Sequence, residues 1–221
     1  MNLMDIIGPV MIGPSSSHTA GAVRLGLLAA GILGQRPVKA GIELHGSFAQ
    51  TYKGHGTDMA LMAGLMGWAP DDARIPQALD YARESRLDFN FAKVNLGELA
   101  HPNTVRFNLT GKGGMSCSVT GSSVGGGQVC VTEIDAFPVE MNGALPAVLV
   151  LHRDRCGVIA LVSGHLAEAG VNIAGMRVFR TDRGGLAIMI IECDQPVAPE
   201  TIEKIKSLAA VESARFIASV V

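Results

Sequence analysis

The chain has no run of Lys or Arg, and its 18 basic side chains are outnumbered by 20 acidic ones, for a net charge of −2. Such a surface gives nucleic acid no electrostatic footprint. Long apolar runs are also missing. Although 48% of the residues are hydrophobic, no uncharged stretch reaches the ~20 residues that span a bilayer, and the first residues lack the basic-then-apolar order of a secretion signal. These absences predict a cytoplasmic protein with neither a membrane nor a nucleic-acid partner. Cysteine is sparse: Cys117, Cys130, Cys156 and Cys193 are scattered and form no Cys-x-x-Cys pair. That spacing argues against a disulfide framework, and against a zinc site or an iron–sulfur cluster carried on this chain alone, so no metal ligand is assigned. Aromatic residues make up only 5%, whereas Gly occurs 27 times, a balance that favours tight turns and pockets lined by backbone.

Against this background one segment stands out, Gly13-Pro14-Ser15-Ser16-Ser17-His18-Thr19-Ala20-Gly21, which puts four hydroxyls and an imidazole into five residues. The apolar stretch from Ala22 through Ala30 follows as a helix, so Ser15, Ser16 and Ser17 are candidate N-caps and the free N–H groups of the helix start face the hydroxyls. The loop could hold a carboxylate or phosphate, and His18 could handle a proton. A polar capping turn with a hydrogen-bonded His is the alternative.

Residues Val38 to Ser47 alternate as a strand, and Lys53-Gly54-His55-Gly56-Thr57-Asp58 follows. Its two glycines predict a sharp turn around His55, with Thr57 or Asp58 capping an all-round apolar, buried helix from Met59 to about Gly67. His55 then stands at the mouth of that helix, either as a proton-transfer group or as a local cap. His45, at a strand end, fits a satisfied core histidine. Asp71 and Asp72 read as turn residues rather than metal ligands, and a helix follows Pro76. From Asp88 to Asp135 the pattern is of strands, around Phe89–Phe91, Thr104–Thr110 and Val129–Ile134. Between the last two lies a second Ser/Gly-rich loop, Thr120 to Gly127, which could converge N–H groups on an anion or form a hairpin turn.

The strand pattern lapses at Glu140 to Ala144, which divides the chain into domains at residues 1–143 and 146–221. Beyond it the order is strand Pro146–Leu151, helix Val158–Ala169 with Val158, Leu161, Val162 and Leu166 on one face, strands Asn172–Thr181 and Gly185–Cys193, helix Pro199–Ala209 and strand Val211–Val220. That βαββαβ order predicts a ferredoxin-like sheet with two helices on one face, and an exposed sheet edge that would pair two copies. The chain as a whole is of the α+β class.

Two resemblances arise from these motifs. Leu151-His152-Arg153-Asp154-Arg155-Cys156-Gly157-Val158-Ile159, followed by Leu166-Ala167-Glu168-Ala169-Gly170-Val171-Asn172-Ile173, resembles an ACT domain, with Cys156-Gly157 where that family usually has Pro-Gly. The resemblance implies an amino-acid effector pocket at a dimer interface, carried by Asp154, Gly157, Asn172 and Ile173. Asp5 to Gly21, Leu44-His45-Gly46-Ser47-Phe48-Ala49 and Gly54-His55-Gly56-Thr57-Asp58 resemble the beta subunit of iron–sulfur-dependent L-serine dehydratase, and with the ACT-like end this covers essentially the whole chain. The N-terminal part is also similar in fold to the allosteric substrate-binding domain of some phosphoglycerate dehydrogenases.

The dehydratase resemblance implies conversion of L-serine to pyruvate and ammonia. A 4Fe-4S cluster on a separate alpha subunit would act as Lewis acid on the serine hydroxyl while a base takes the α-proton. On this chain it implies Ser15, Ser16, Ser17 and Thr19 at the substrate carboxylate, His18 orienting it or shuttling a proton, and His55 as base. The Gly121 to Gly127 loop, with Gly125 and Gly126, would close the site or, as the dehydrogenase similarity implies, form a distinct effector pocket for serine. The competing class is a free-standing regulatory module that senses a small amino acid or carboxylate.

Overall fold

A computed structural model describes residues 9–221, so the Asp5 to Gly8 part of the first motif lies outside the described residues. The chain divides into two compact units, Met1–Ala136 and Phe137–Val221.

In the first unit a single π-helical turn, Ser16–Ala20, leads into helix α1, Gly21–Leu33. Strand β1, Pro37–Leu44, is followed by helices α2, Gly46–His55, and α3, Thr57–Leu65; after a 3₁₀ turn come α4, Ala78–Glu84, and β2, Asp88–Lys93. Strands β3, Thr104–Gly111, β4, Ser116–Gly125, and β5, Gln128–Ile134, are the remaining strands of this unit, whose strands run in the order β2-β1-β3-β4-β5. β2 is parallel to β1, as a helical crossover requires, and the remaining neighbours are antiparallel.

Helices α1 and α3 build the core on one face. Leu25, Leu28, Ile32 and Leu61 are sealed there with Ile42, Phe107, Val119 and Val131 of the sheet. The two helices touch at Gly26 and Gly64: a Cβ on Gly26 would fall 2.5 Å from the Leu61 carbonyl oxygen, and one on Gly64 would collide with the Val23 carbonyl. The all-round apolar character of α3 is explained by this crossing, which leaves almost none of it facing water.

Several expected boundaries move. The strand ends at Leu44 rather than Ser47, and after His45 the ten residues Gly46–His55 are helix α2, so Gly54 is helical and the turn falls on Gly56 alone, at φ +67°. Gly56 is itself the N-cap of α3, and neither Thr57 nor Asp58 caps it with a side chain. Most of the expected Thr120–Gly127 loop is strand β4, and the hairpin turn is confined to Gly125, Gly126 and Gly127, all at positive φ.

The second unit opens with β6, Phe137–Met141, which takes up part of the expected link. Then follow β7, Ala147–Arg153, α5, Val158–Glu168, β8, Ile173–Arg180, β9, Leu186–Cys193, α6, Pro199–Lys206, and β10, Val211–Ile217. The antiparallel sheet runs β10-β7-β9-β8, the ferredoxin-like arrangement that the sequence order predicts. Val148, Val150, Met189 and Ile191 pack under Val162, Leu166, Ile202 and Ile205 of the helices. One expected core residue turns outward, since Leu161 is 55% exposed while Val158, Val162 and Leu166 form the buried stripe. No helix among the described residues is long and apolar enough to cross a membrane.

Candidate active site

The π turn is capped by Ser15, whose hydroxyl accepts the His18 N–H at 3.3 Å, while the Ser15 carbonyl accepts the Thr19 N–H at 2.8 Å. Such single wide turns recur at functional sites because the extra residue re-aims side chains that a regular helix would point elsewhere. Here His18 is turned inward and only 9% exposed. Its Nδ1 lies 3.4 Å from Ser15 Oγ, and its Nε2 lies 3.2 Å from Thr51 Oγ1 and 3.4 Å from Ser47 Oγ. The ring meets Phe48 edge-on at 5.2 Å between centroids and His55 edge-on at 4.8 Å.

All but one of these neighbours come from α2. Ser47, Thr51 and His55 recur every four residues, which places them along one side of the helix. His55 is the last helical residue, and its ring is exposed beside the buried His18. Burial pushes the His18 imidazole below its ordinary value of 6.5, and the neighbouring His55 pushes it the same way. His18 is therefore a neutral imidazole at physiological pH.

Just beyond His55 lies a second perturbed group. Asp58 is 9% exposed, and burial raises its carboxyl above the usual range, although the N–H groups of Met59 and of Asp58 itself and the charge of Lys53 pull it back. On the other side, α1 carries Arg24, a buried guanidinium that donates from Nη1 to the Gly127 carbonyl at 2.7 Å and has no partner at Nε. Burial lowers its pKa. The Thr57 and Ser123 hydroxyls are likewise buried without partners.

The structure thus brings Ser15, His18 and His55 together, and adds Ser47 and Thr51, to which the sequence reading gave no role. Their signal was the four-residue spacing, legible only once residues 46–55 are known to be helical. Ser16 and Ser17 are half-buried on the same turn, whereas Thr19 is 2% exposed and packs against Gly13. His45 accepts the Leu96 N–H on Nδ1 at 3.1 Å, as a satisfied strand-end histidine.

The candidate effector residues behave differently. In the second unit Asp154 binds Arg180 Nη1 at 2.9 Å and the Gly184 N–H at 3.0 Å, and Asn172 donates to Asp194 at 2.6 Å. Gly157 takes φ +90° as the N-cap of α5, and Ile173 begins β8 half-buried. In the first unit Gly125 and Gly126 form the tip of the β4–β5 hairpin. No three His, Cys, Asp or Glu side chains converge among the described residues. Cys117 and Cys193 are buried, Cys130 is half-buried and Cys156 exposed, and no three of them converge among the described residues, so this set does not fit an iron–sulfur cluster.

A helix-covered sheet with paired imidazoles in a hydroxyl cage, joined to a ferredoxin-like module, defines a two-domain protein with a preformed polar site. Residues 3–134 match the family described as serine dehydratase beta chain, and residues 147–210 match the ACT domain. The chain is 42% identical over 207 residues to a probable L-serine dehydratase, beta chain, of Bacillus subtilis, covering 94% of this chain and 93% of that one. It is 34% identical over 213 residues to the L-serine dehydratase, beta chain, of Peptoniphilus asaccharolyticus, covering 96% of each. A shorter match, 32% over 97 residues, links 44% of the chain to 18% of a D-3-phosphoglycerate dehydrogenase of Synechocystis. The chain belongs to the serine dehydratase beta chain family and ends in an ACT domain.

Proposed function

We propose that this chain is the beta subunit of an L-serine ammonia-lyase, which converts L-serine to pyruvate and ammonia together with an alpha subunit that carries a 4Fe-4S cluster. The observation that carries the reading is the pairing of buried His18 with exposed His55, centroids 4.8 Å apart, inside a cage of hydroxyls. Removing the α-proton of an amino acid needs a base held beside a fixed carboxylate. Ser16 and Ser17, half-buried on the π turn that leads into α1, are the hydroxyls assigned to that carboxylate. His55 has the accessible imidazole and is the base on this chain. Loss of the α-proton and of the β-hydroxyl leaves an enamine, whose tautomer hydrolyses to pyruvate and ammonia. The cluster belongs to the partner, since the cysteines of this chain do not fit it.

The reading includes a cytoplasmic location, which suits a chain whose few cysteines are scattered through the sequence. It also includes a homodimer, for which β8, an edge of the second unit's sheet, is the pairing strand.

The test is anaerobic pyruvate formation from L-serine, with iron and sulfide supplied, by this chain alone and by this chain with a cluster-bearing partner. Activity only in the mixture is the expected result. No activity in a mixture whose cluster is demonstrably assembled would overturn the reading in favour of a regulatory module.

A further inference from the structure

We infer that Thr51 is a positioning residue that fixes His18 as its Nε2–H tautomer, with the Nδ1 lone pair turned to the Ser15 hydroxyl. The argument is one of proton counting. A threonine hydroxyl has a single hydrogen. That of Thr51 goes to the Ser47 carbonyl, one helical turn back, at 2.8 Å. Toward His18 Nε2, 3.2 Å away, Thr51 Oγ1 can then only accept, so Nε2 carries the ring proton. A neutral imidazole has one such proton, which leaves Nδ1 as an acceptor.

The far side of the ring agrees. Ser15 Oγ already accepts the His18 backbone N–H at 3.3 Å, which leaves its own hydrogen free to point at Nδ1, 3.4 Å away. Every proton in the chain Ser15–His18–Thr51–Ser47 thus has one destination. The opposite tautomer would make Ser15 Oγ a double acceptor and would require the Ser47 hydroxyl, at 3.4 Å, to replace Thr51 as the partner of Nε2. Ser47 is therefore the residue that competes with Thr51.

A consequence follows for the proposed lyase, and it rests on that reading. With Nδ1 filled by Ser15 and Nε2–H held by Thr51, His18 has no open nitrogen for the α-proton. It braces the wall of the site, and the exposed His55 is left as the proton acceptor on this chain. The Ser15 hydroxyl is also committed, so Ser16 and Ser17 are the hydroxyls left to a carboxylate.

Two-bond proton–nitrogen correlation spectra of the ¹⁵N-labelled full chain at pH 8 test the tautomer without any partner, with His18 assigned by a His18→Gln variant. Wild type should show a pyridine-type Nδ1 and a pyrrole-type Nε2. Ser47→Ala should keep that pattern, Thr51→Val should move both nitrogens toward a tautomer mixture, and Thr51→Ser should restore it. A pyrrole-type Nδ1 in wild type, or an unchanged spectrum in Thr51→Val, would overturn the assignment. In the reconstituted lyase Thr51→Val should lower kcat roughly five- to tenfold, the effect of about one lost hydrogen bond, with KM little changed and Thr51→Ser close to wild type. A shifted tautomer with unchanged kcat would overturn the positioning role. A wild-type mixture without activity would instead count against the lyase, leaving the tautomer assignment to the spectra.

Discussion

In the N-terminal unit Arg24, Thr57, Asn103 and Ser123 each bury a polar atom with no hydrogen-bond partner, whereas in the C-terminal unit Asp154 and Asn172 are satisfied by Arg180, Gly184 and Asp194 of their own fold. An orphaned buried polar group costs about 1–3 kcal/mol. The N-terminal unit bears that cost beside its imidazole pair: Thr57 lies two residues from His55, and Ser123 packs against Gly21, the residue after the π turn. The C-terminal unit leaves one such atom among the described residues, His152 Nε2. One unit keeps polarity in reserve around a site, and the other has closed its polar groups on themselves.

The strongest way to break this comparison is at His55. If the first unit carries the chemistry, His55→Ala should lower turnover by about 10²- to 10⁴-fold, the usual range for a positioned acid or base. The exposed ring contributes little to packing, so the melting temperature should hold. Steady-state kinetics on the reconstituted lyase decides it: an equal loss in kcat and in substrate affinity, or no loss, would remove His55 from the site.

Glycine sharpens the comparison, because both units have glycines inside helices but in opposite surroundings. Gly64 of α3 faces the Val23 carbonyl with no room for a methyl group, while Gly164 of α5 has nothing within 4 Å of an added Cβ. Gly64→Ala should therefore destabilise by about 2–3 kcal/mol through overpacking. Gly164→Ala should stabilise by roughly 0.5–1 kcal/mol through helix propensity and a less flexible unfolded chain. Urea melts of the two variants against wild type should shift the midpoint in opposite directions. A gain of stability in both would mean that the helix crossing is looser than its geometry, and a loss in both would overturn the prediction for Gly164.

The same two helices show what was legible in the sequence. Val158, Val162 and Leu166 recur at the four-residue spacing of a buried stripe, so α5 could be placed from pattern alone, as could the order of elements that makes the sheet ferredoxin-like. Helix α2 could not. Its sequence, GSFAQTYKGH, has glycine at two positions and buries only Phe48 and Ala49, so tertiary contacts rather than local preference decide its state. The site divides likewise. His18 and His55 stood out by their hydroxyl and glycine frames, but Ser47 and Thr51 become neighbours of His18 only through a helix that the pattern did not reveal.

Titration gives a smaller contrast. The folded chain holds His18 below its ordinary value of 6.5, so the stability tied to its neutral form is full above pH 6.5 and is lost as pH falls through the folded value. In His18→Gln the fall in stability below pH 6.5 should be shallower than in wild type. Parallel curves would show that the ring reaches water more freely than its burial implies.

The smallest effect is expected at Asp154. The Gly184 N–H and then Arg180 hold its carboxyl below the usual range, so whatever stability it lends is present above pH 3.8 and lost on acidification through the folded value. The group is on the surface, where water and salt screen such pairs. Asp154→Asn should therefore leave the neutral-pH urea midpoint almost unmoved and slightly flatten the acid limb. L-serine titrated calorimetrically into Asp154→Asn and wild type adds a second readout. If Asp154 is bound up with Arg180 and Gly184 as the fold has it, the two titrations should coincide. A loss of heat confined to the variant would show that this carboxylate lets go of its own fold to meet a ligand, and the contrast between the two units would then narrow to the histidine pair.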